Sequence, residues 1–157
     1  MNYHGIEPKI LIEPFMSEDI NEYPEEIHVY VFNNVPKYVI KLYTHNYVSL
    51  YDEKLNYIDD VFSLGDKKVS KKADDIINQT FVLSKQLVNF KTSSPIAGEG
   101  CGEGFSFVRV DWMLYKNKAY FEEMTFTPYS GFNKNLNKNF NEKFGKLIDL
   151  EGGRYGF

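Results

Sequence analysis

"FVRVDWMLYKNKAYFEEMTF", residues Phe107–Phe126, decides the fold. Two runs of strand-forming residues alternate apolar and polar positions on either side of Lys116, Asn117 and Lys118, the pattern of a β-hairpin. With those three residues as the turn, Asp111 stands directly across from Glu123 and Arg109 directly across from Thr125. Directly opposed residues hold their Cβ atoms about 4.5–5.5 Å apart, close enough for two like charges to destabilise a sheet.

Two readings resolve that conflict. In the first, a cation lies between the carboxylates. Mg²⁺ takes hard oxygen ligands, typically one or two protein carboxylates completed by water and nucleotide phosphates. Arg109, two residues from Asp111 on the same face, would then offer a guanidinium to a phosphate, and the hairpin becomes a candidate phosphoryl-transfer site. In the second, both acids point to solvent and Val108, Val110, Trp112 and Leu114 form the buried face of a half-exposed hairpin.

The rest of the chain sets bounds on both. Its 157 residues suffice for one domain, and an aromatic share of 17% rich in Tyr and Phe favours strands. A net charge of −4 gives no basic footprint, so nucleic acid is not an expected partner. Cys101, the single cysteine, excludes an internal disulfide and a multi-cysteine zinc site. It lies in "GEGCGEG", which supplies no base to activate a thiol. His4, His28 and His45 have no metal-ligand spacing. With neither an 18-residue apolar run nor a signal-peptide pattern, the expected setting is cytoplasmic, with no membrane partner.

Along the chain, "KILIEPFM" (Lys9–Met16) reads as a buried strand stopped by Pro14, followed by an acidic connection. "EIHVYVF" and "VPKYVIKLY" flank Asn33 and Asn34, a second hairpin whose turn suits asparagine. Folded symmetrically about that turn, Ile27, Val29 and Val31 share a face with Pro36, Tyr38 and Ile40, and Lys41 falls opposite Glu26. Tyr43–Leu64 has no assignable pattern. Ala73, Ile76, Ile77, Thr80, Leu83, Ser84, Leu87 and Val88 recur at helical spacing, with Ser70 as a candidate N-cap. Lys91–Gly104 reads as a flexible loop, and the Asn- and Lys-rich run Asn133–Lys143 as a solvated surface leading into a short amphipathic helix at "FGKLIDL". The chain shows no repeat and no internal domain boundary. The expected fold class is α+β, an antiparallel sheet with packed helices.

The runs "FVRVD" and "EMTFTPYSGF" resemble, in order and spacing, the closing segment of the ATP-grasp superfamily, specifically its TupA-like branch. "PKILIEPFM" is similar to that branch's hinge strand, "EEIHVYVFNNVPKYVI" to its following hairpin and "FGKLIDL" to its terminal helix. The resemblance implies that residues 1–150 form the C-terminal, nucleotide- and metal-binding subdomain of an ATP-grasp ligase, with 151–157 a tail. ATP and Mg²⁺ are the implied cofactors. It further implies Asp111 and Glu123 as metal ligands, Thr125 where related ligases often place a metal-binding asparagine, and Arg109 on the terminal phosphate. Glu13 and the backbone at Phe15 and Met16 would meet adenine, Glu26 the ribose hydroxyls and Lys41 a phosphate. His28 stands where the family has a lysine.

Only eight residues precede Lys9, so the first ATP-grasp lobe is expected to be absent and to come, if at all, from a separate chain. The implied activity is carboxylate–amine ligation through an acyl phosphate, in the making of a polysaccharide or cell-surface polymer. The alternative is a non-catalytic ATP-grasp remnant serving as a binding module.

Overall fold

The computed structural model describes residues 10, 14–17, 19–43, 47–58, 70–89, 105–128 and 138–148. Within them the elements run β1 (Glu25–Phe32), β2 (Val35–Tyr43), β3 (Tyr47–Asp52), β4 (Tyr57–Ile58), α1 (Asp75–Val88), β5 (Phe107–Tyr115), β6 (Lys118–Thr125) and α2 (Lys138–Gly145). All six strands join one antiparallel sheet in the order β4-β3-β2-β1-β5-β6. This is the expected α+β class.

Both main hairpins turn on residues with positive φ. Asn33 and Asn34 lie at 50° and 61°, Lys116 and Asn117 at 48° and 57°. Two-residue turns of this kind match the right-handed twist of the strands they join, and after glycine asparagine is among the residues that tolerate them best. The β5–β6 turn is therefore two residues long, not three, and Lys118 already pairs with Tyr115.

The first hairpin corrects a second expectation. Phe32 faces Val35 and Val31 faces Pro36, but the register then slips by one, so that Tyr30 faces Tyr38, Val29 faces Val39 and Ile27 faces Lys41. The extra residue, Lys37, follows Pro36, which has no N–H to give a regular ladder; a bulge is where sheets accommodate that lack. Val39 and Lys41 consequently share the face of Ile27 and Val29, and Glu26 lies across from Leu42 rather than Lys41.

The sheet buries both faces. On one, Ile27, Val29, Val31, Val39, Tyr51, Val108, Val110 and Trp112 pack with Ile77 and Val88 of α1. On the other, Tyr30, Phe32, Ile40 and Leu50 pack with Phe140 of α2. Phe140 and Phe144, one helical turn apart, both pack on the Tyr38 ring, the first edge-on at a centroid distance of 5.2 Å and the second tilted at 4.8 Å. The aromatic cluster takes the Phe32–Phe107 end of this face. Glu26, His28, Arg109 and Asp111 take the other end.

α1 begins later than Ser70. Its N-cap is Asp74, whose carboxylate accepts the Ile77 backbone N–H at 2.9 Å. Ser70 instead donates to the carbonyl of Lys72. α2 begins earlier than "FGKLIDL" and ends at Gly145, because Phe140 supplies the apolar anchor inside the polar run; Lys138, Asn139, Asn141 and Lys143 around it are exposed. β3 and β4 fall in the unassigned Tyr43–Leu64 stretch. The strand expected over Lys9–Met16 lies mostly outside the described residues, and Ile10 and Pro14–Met16 carry no regular structure. The loop Lys91–Gly104, with Cys101, and the 151–157 tail are also outside them.

A buried polar contact ties the middle of α1 to the sheet. Trp112 donates its indole N–H to Ser84 Oγ at 2.9 Å, between two buried side chains. Ser84→Ala orphans that donor and should lower stability by about 1–3 kcal/mol, read as a fall in the urea midpoint. In the Trp112→Phe background the same change should cost far less, since no donor remains to be orphaned.

Candidate functional site

The polar end of the α2-side face is built by β1, β5 and β6. β5 pairs with β1 so that His28 faces Asp111 and Tyr30 faces Arg109. On its other edge, Asp111 faces Glu123 and Arg109 faces Thr125, the pairing expected from the sequence. It arises by a different route. The short turn alone would misalign the pair, and a bulge between Asp111 and Trp112 restores it by taking Glu122 out of the ladder.

Asp111 is 2% exposed, so the reading in which both acids face solvent fails for Asp111; Arg109 beside it is 8% exposed. Val108, Val110 and Trp112 form the buried opposite face that this reading required, with Leu114 half-buried, but Asp111 is buried as well. Glu123 remains exposed. Arg109 donates through Nε to Asp111 Oδ1 and through Nη2 to Oδ2, both at 2.7 Å. Such a fork-to-fork pair is the strongest neutralisation a carboxylate receives from a side chain, and removing one partner of a buried pair typically costs about 3–5 kcal/mol.

Thr125 completes the group. Its Oγ1 lies 2.8 Å from Asp111 Oδ2 and 2.9 Å from Glu123 Oε1. A hydroxyl has one proton and cannot donate to both oxygens at once. One of the two contacts therefore places oxygen against oxygen with no proton between them, an arrangement a cation relieves. Two carboxylates and a hydroxyl are hard oxygen donors, the set that suits Mg²⁺. Among the described residues no group of three or more His, Cys, Asp and Glu side chains is arranged to hold a metal ion. Asp111 and Glu123 are the two carboxylates the described cluster offers, a number usual where phosphates and water complete the shell.

Glu26 and His28 border this cluster. His28 Nε2–H donates to Glu26 Oε2 at 2.9 Å and lies 4.0 Å from Asp111 Oδ1; Nδ1 is buried with no hydrogen-bond partner among the described residues. The His28 hydrogen bond, aided by the charges of His28 and Arg109, holds the Glu26 pKa below the usual carboxylate range against the opposing effect of burial. Glu122 goes the other way. Partial burial and the charges of Glu26, Asp111 and Glu123 push its pKa up. Glu122 was not legible as a site residue because the bulge that turns it toward Asp111 is a tertiary feature; its one signal was the Glu122–Glu123 pair beside a two-residue turn.

The remaining expected residues sit elsewhere. Lys41 lies on the α1 side, where it donates to Asp74 at 3.1 Å and pairs with Glu25 at 3.5 Å. Burial disfavours its charge, but the Asp74 hydrogen bond and the charges of Glu25 and Asp74 prevail and raise its pKa. Lys41 and Met16 line a cavity of about 450 Å³ where β1 begins and β5 ends, with Asp74, Leu114 and Tyr115. Phe15 is 59% exposed, and Glu13 lies outside the described residues.

The six-stranded antiparallel sheet with helices packed on both faces is consistent with an ATP-grasp-type α+β fold. A family model described as TupA-like ATPgrasp matches residues 1–149, and the chain belongs to that family. It carries an ATP-grasp ligase-like domain. No curated protein and no solved structure matches it. Among the described residues no helix is long and apolar enough to cross a membrane.

The Glu122 environment has a pH consequence. Its raised pKa means the folded chain holds this proton more tightly than the unfolded one, so stability is lost as pH rises above the ordinary value of 4.5. Glu122→Gln should therefore melt higher than the parent at about pH 7 and match it below about pH 4. Thermal melts of both proteins across that range check the sign.

Proposed function

We propose that the chain is the metal- and phosphate-binding part of an ATP-dependent carboxylate–amine ligase. The observation that carries this reading is the convergence of Asp111, Glu123 and Thr125, with one hydroxyl proton for two carboxylates, beside the Arg109 guanidinium. Asp111, Glu123 and Thr125 would hold Mg²⁺, which when bound would offset charge on the ATP phosphates. Arg109 orients the transferred phosphoryl group and stabilises the charge that develops on it.

The reaction is phosphoryl transfer from ATP to a substrate carboxylate, giving ADP and an acyl phosphate. Amine attack on the acyl carbon then expels phosphate and leaves an amide, with the nitrogen proton passing to solvent. Glu26 takes the ribose hydroxyls, and Glu13 with the backbone at Phe15 and Met16 takes adenine. Lys41, ion-paired on the far side of the sheet, anchors α1 and is left out of the phosphate site.

The family resemblance calls for a second lobe across the nucleotide, and a separate chain is the partner that would supply it. Alone, the sheet positions the phosphates but excludes water poorly, so efficient ligation needs that lobe. The resemblance further points to a polysaccharide or cell-surface polymer as the product's context, and dependence on ATP to the cytoplasm.

Calorimetric titration of Mg²⁺·ATP into the chain and its Asp111→Asn variant tests the site, with and without a candidate first lobe. The variant keeps the shape and loses the charge, and should bind about tenfold more weakly or worse. Equal affinity in both settings overturns the metal assignment.

A further inference from the structure

His28 is a polar ring buried in the interior of the sheet. It sits on β1, paired to Ile40 on one side and to Asp111 on the other, and is 5% exposed. Its Nε2 lies 2.9 Å from Glu26 Oε2 and 4.0 Å from Asp111 Oδ1, so the hydrogen bond goes to Glu26 and the Asp111 oxygen is out of range. With carboxylate oxygens before it, Nε2 carries the hydrogen. Nδ1 is buried with no hydrogen-bond partner among the described residues. An apolar side chain at position 28 would avoid that unpaired nitrogen; what the imidazole adds is a donor for Glu26.

Glu26 is the opposite kind of residue, a long side chain near the start of β1 that is 30% exposed. A glutamate so placed samples many rotamers unless something holds it, and a ligand must then order it on binding. His28, fixed by strands on both sides, removes that freedom in the folded chain. The same hydrogen bond is the largest influence holding the Glu26 pKa below the usual carboxylate range, so the group offered to a ligand is the anion.

We propose that His28 is a positioning residue that sets a preference for a ribonucleotide over a 2′-deoxyribonucleotide, by holding the Glu26 carboxylate where it accepts from the sugar hydroxyls. The inference rests on the reading of Glu26 as the ribose ligand. A carboxylate held in one orientation accepts from both neighbouring hydroxyls of a ribose; a deoxyribose supplies one fewer donor and leaves a partly buried anionic oxygen unpaired. A carboxylate free to turn away finds water instead and loses little when the hydroxyl is missing. Discrimination thus depends on the donor behind Glu26 as well as on Glu26.

Calorimetric titration of the full chain with Mg²⁺·ATP and with Mg²⁺·2′-deoxy-ATP tests this. The parent should bind the ribonucleotide about tenfold tighter. In His28→Leu the ratio should fall below about threefold, and in His28→Gln, whose amide can donate from near the position of Nε2, it should recover to about fivefold or more. The ratio is taken within each protein, so a general loss of affinity or of folded fraction, the effect of a purely structural role, cancels. In the parent alone, long-range ¹H–¹⁵N spectra should show hydrogen on His28 Nε2, and a ring protonated only at Nδ1 overturns the inference. A parent that discriminates beside a His28→Leu protein that discriminates equally, or a His28→Gln ratio no better than that of His28→Leu, overturns it and leaves the ribose reading standing. A parent that binds both nucleotides equally, or neither, removes the ribose reading and the inference with it.

Discussion

A carboxylate that is 2% exposed inside a six-stranded sheet must be compensated from within the fold, and much of the polar face follows from how Asp111 meets that demand. Neighbouring strands sit about 4.8 Å apart, so among the sheet residues described those on β1, β5 and β6 of the same face are placed to reach it. β6 brings Thr125 and Glu123, β1 brings His28, and β5 itself brings Arg109. Of these, only Arg109 supplies two parallel donors, and its long side chain reaches back along its own strand to do so. The apolar alternative, a Val or Ile at position 111, would pack without any such compensation. Retaining an acid at this position therefore has a stability cost, which fits a chemical role for it.

The opposite face explains how the sheet tolerates that cost. Val108 and Val110 from β5, with Ile27 and Val29 from β1, give the strands that carry the charges a dry, close-packed side against α1. α1 is fixed at its start by Asp74, which caps the helix and accepts from Lys41, and further along by the Ser84–Trp112 hydrogen bond. Trp112 is the residue after Asp111. Anchoring its ring on one face holds the Asp111 carboxylate at a fixed height on the other, because successive strand residues point in opposite directions. Rigidity at the charged cluster is thus borrowed from the apolar layer behind it.

How much of this could be read in advance differs from one element to the next. The two hairpins announced themselves through Asn33–Asn34 and the alternation around Lys116–Asn117, since local turn chemistry and period-two patterning need no tertiary information. The facing of Asp111 with Glu123 was legible too, though by a three-residue turn that the structure replaces with a two-residue turn and a bulge. What stayed hidden depended on the third dimension. The bulge after Tyr30 moved Lys41 to the far face, the cap of α1 fell on Asp74 because that position reaches Ile77, and β3 and β4 meet at a turn whose positive φ belongs to Leu55. A leucine in that conformation carries no sequence signal. The Arg109–Asp111 clamp was hidden for a related reason: same-face spacing placed them as neighbours, but burial made them partners.

The bulge at Glu122 is what lets one short strand satisfy both faces. A regular ladder running back from the two-residue turn would set Asp111 against Glu122 and Arg109 against Met124. Glu123 and Thr125 would then point into the α1 layer beside Val108 and Val110, an apolar setting that neither tolerates without partners. With one residue looped out, Phe121 still meets Trp112 in an edge-to-face contact at 5.8 Å, and Met124 turns inward to Val110. Glu123 and Thr125 turn to Asp111 and Arg109 instead. The displaced residue is itself a glutamate, whose pKa is raised by partial burial and by the charges of Glu26, Asp111 and Glu123. A neutral residue would loop out equally well. Placing a further acid there deepens the negative field over a hairpin that already carries Asp111 and Glu123 beside Glu26.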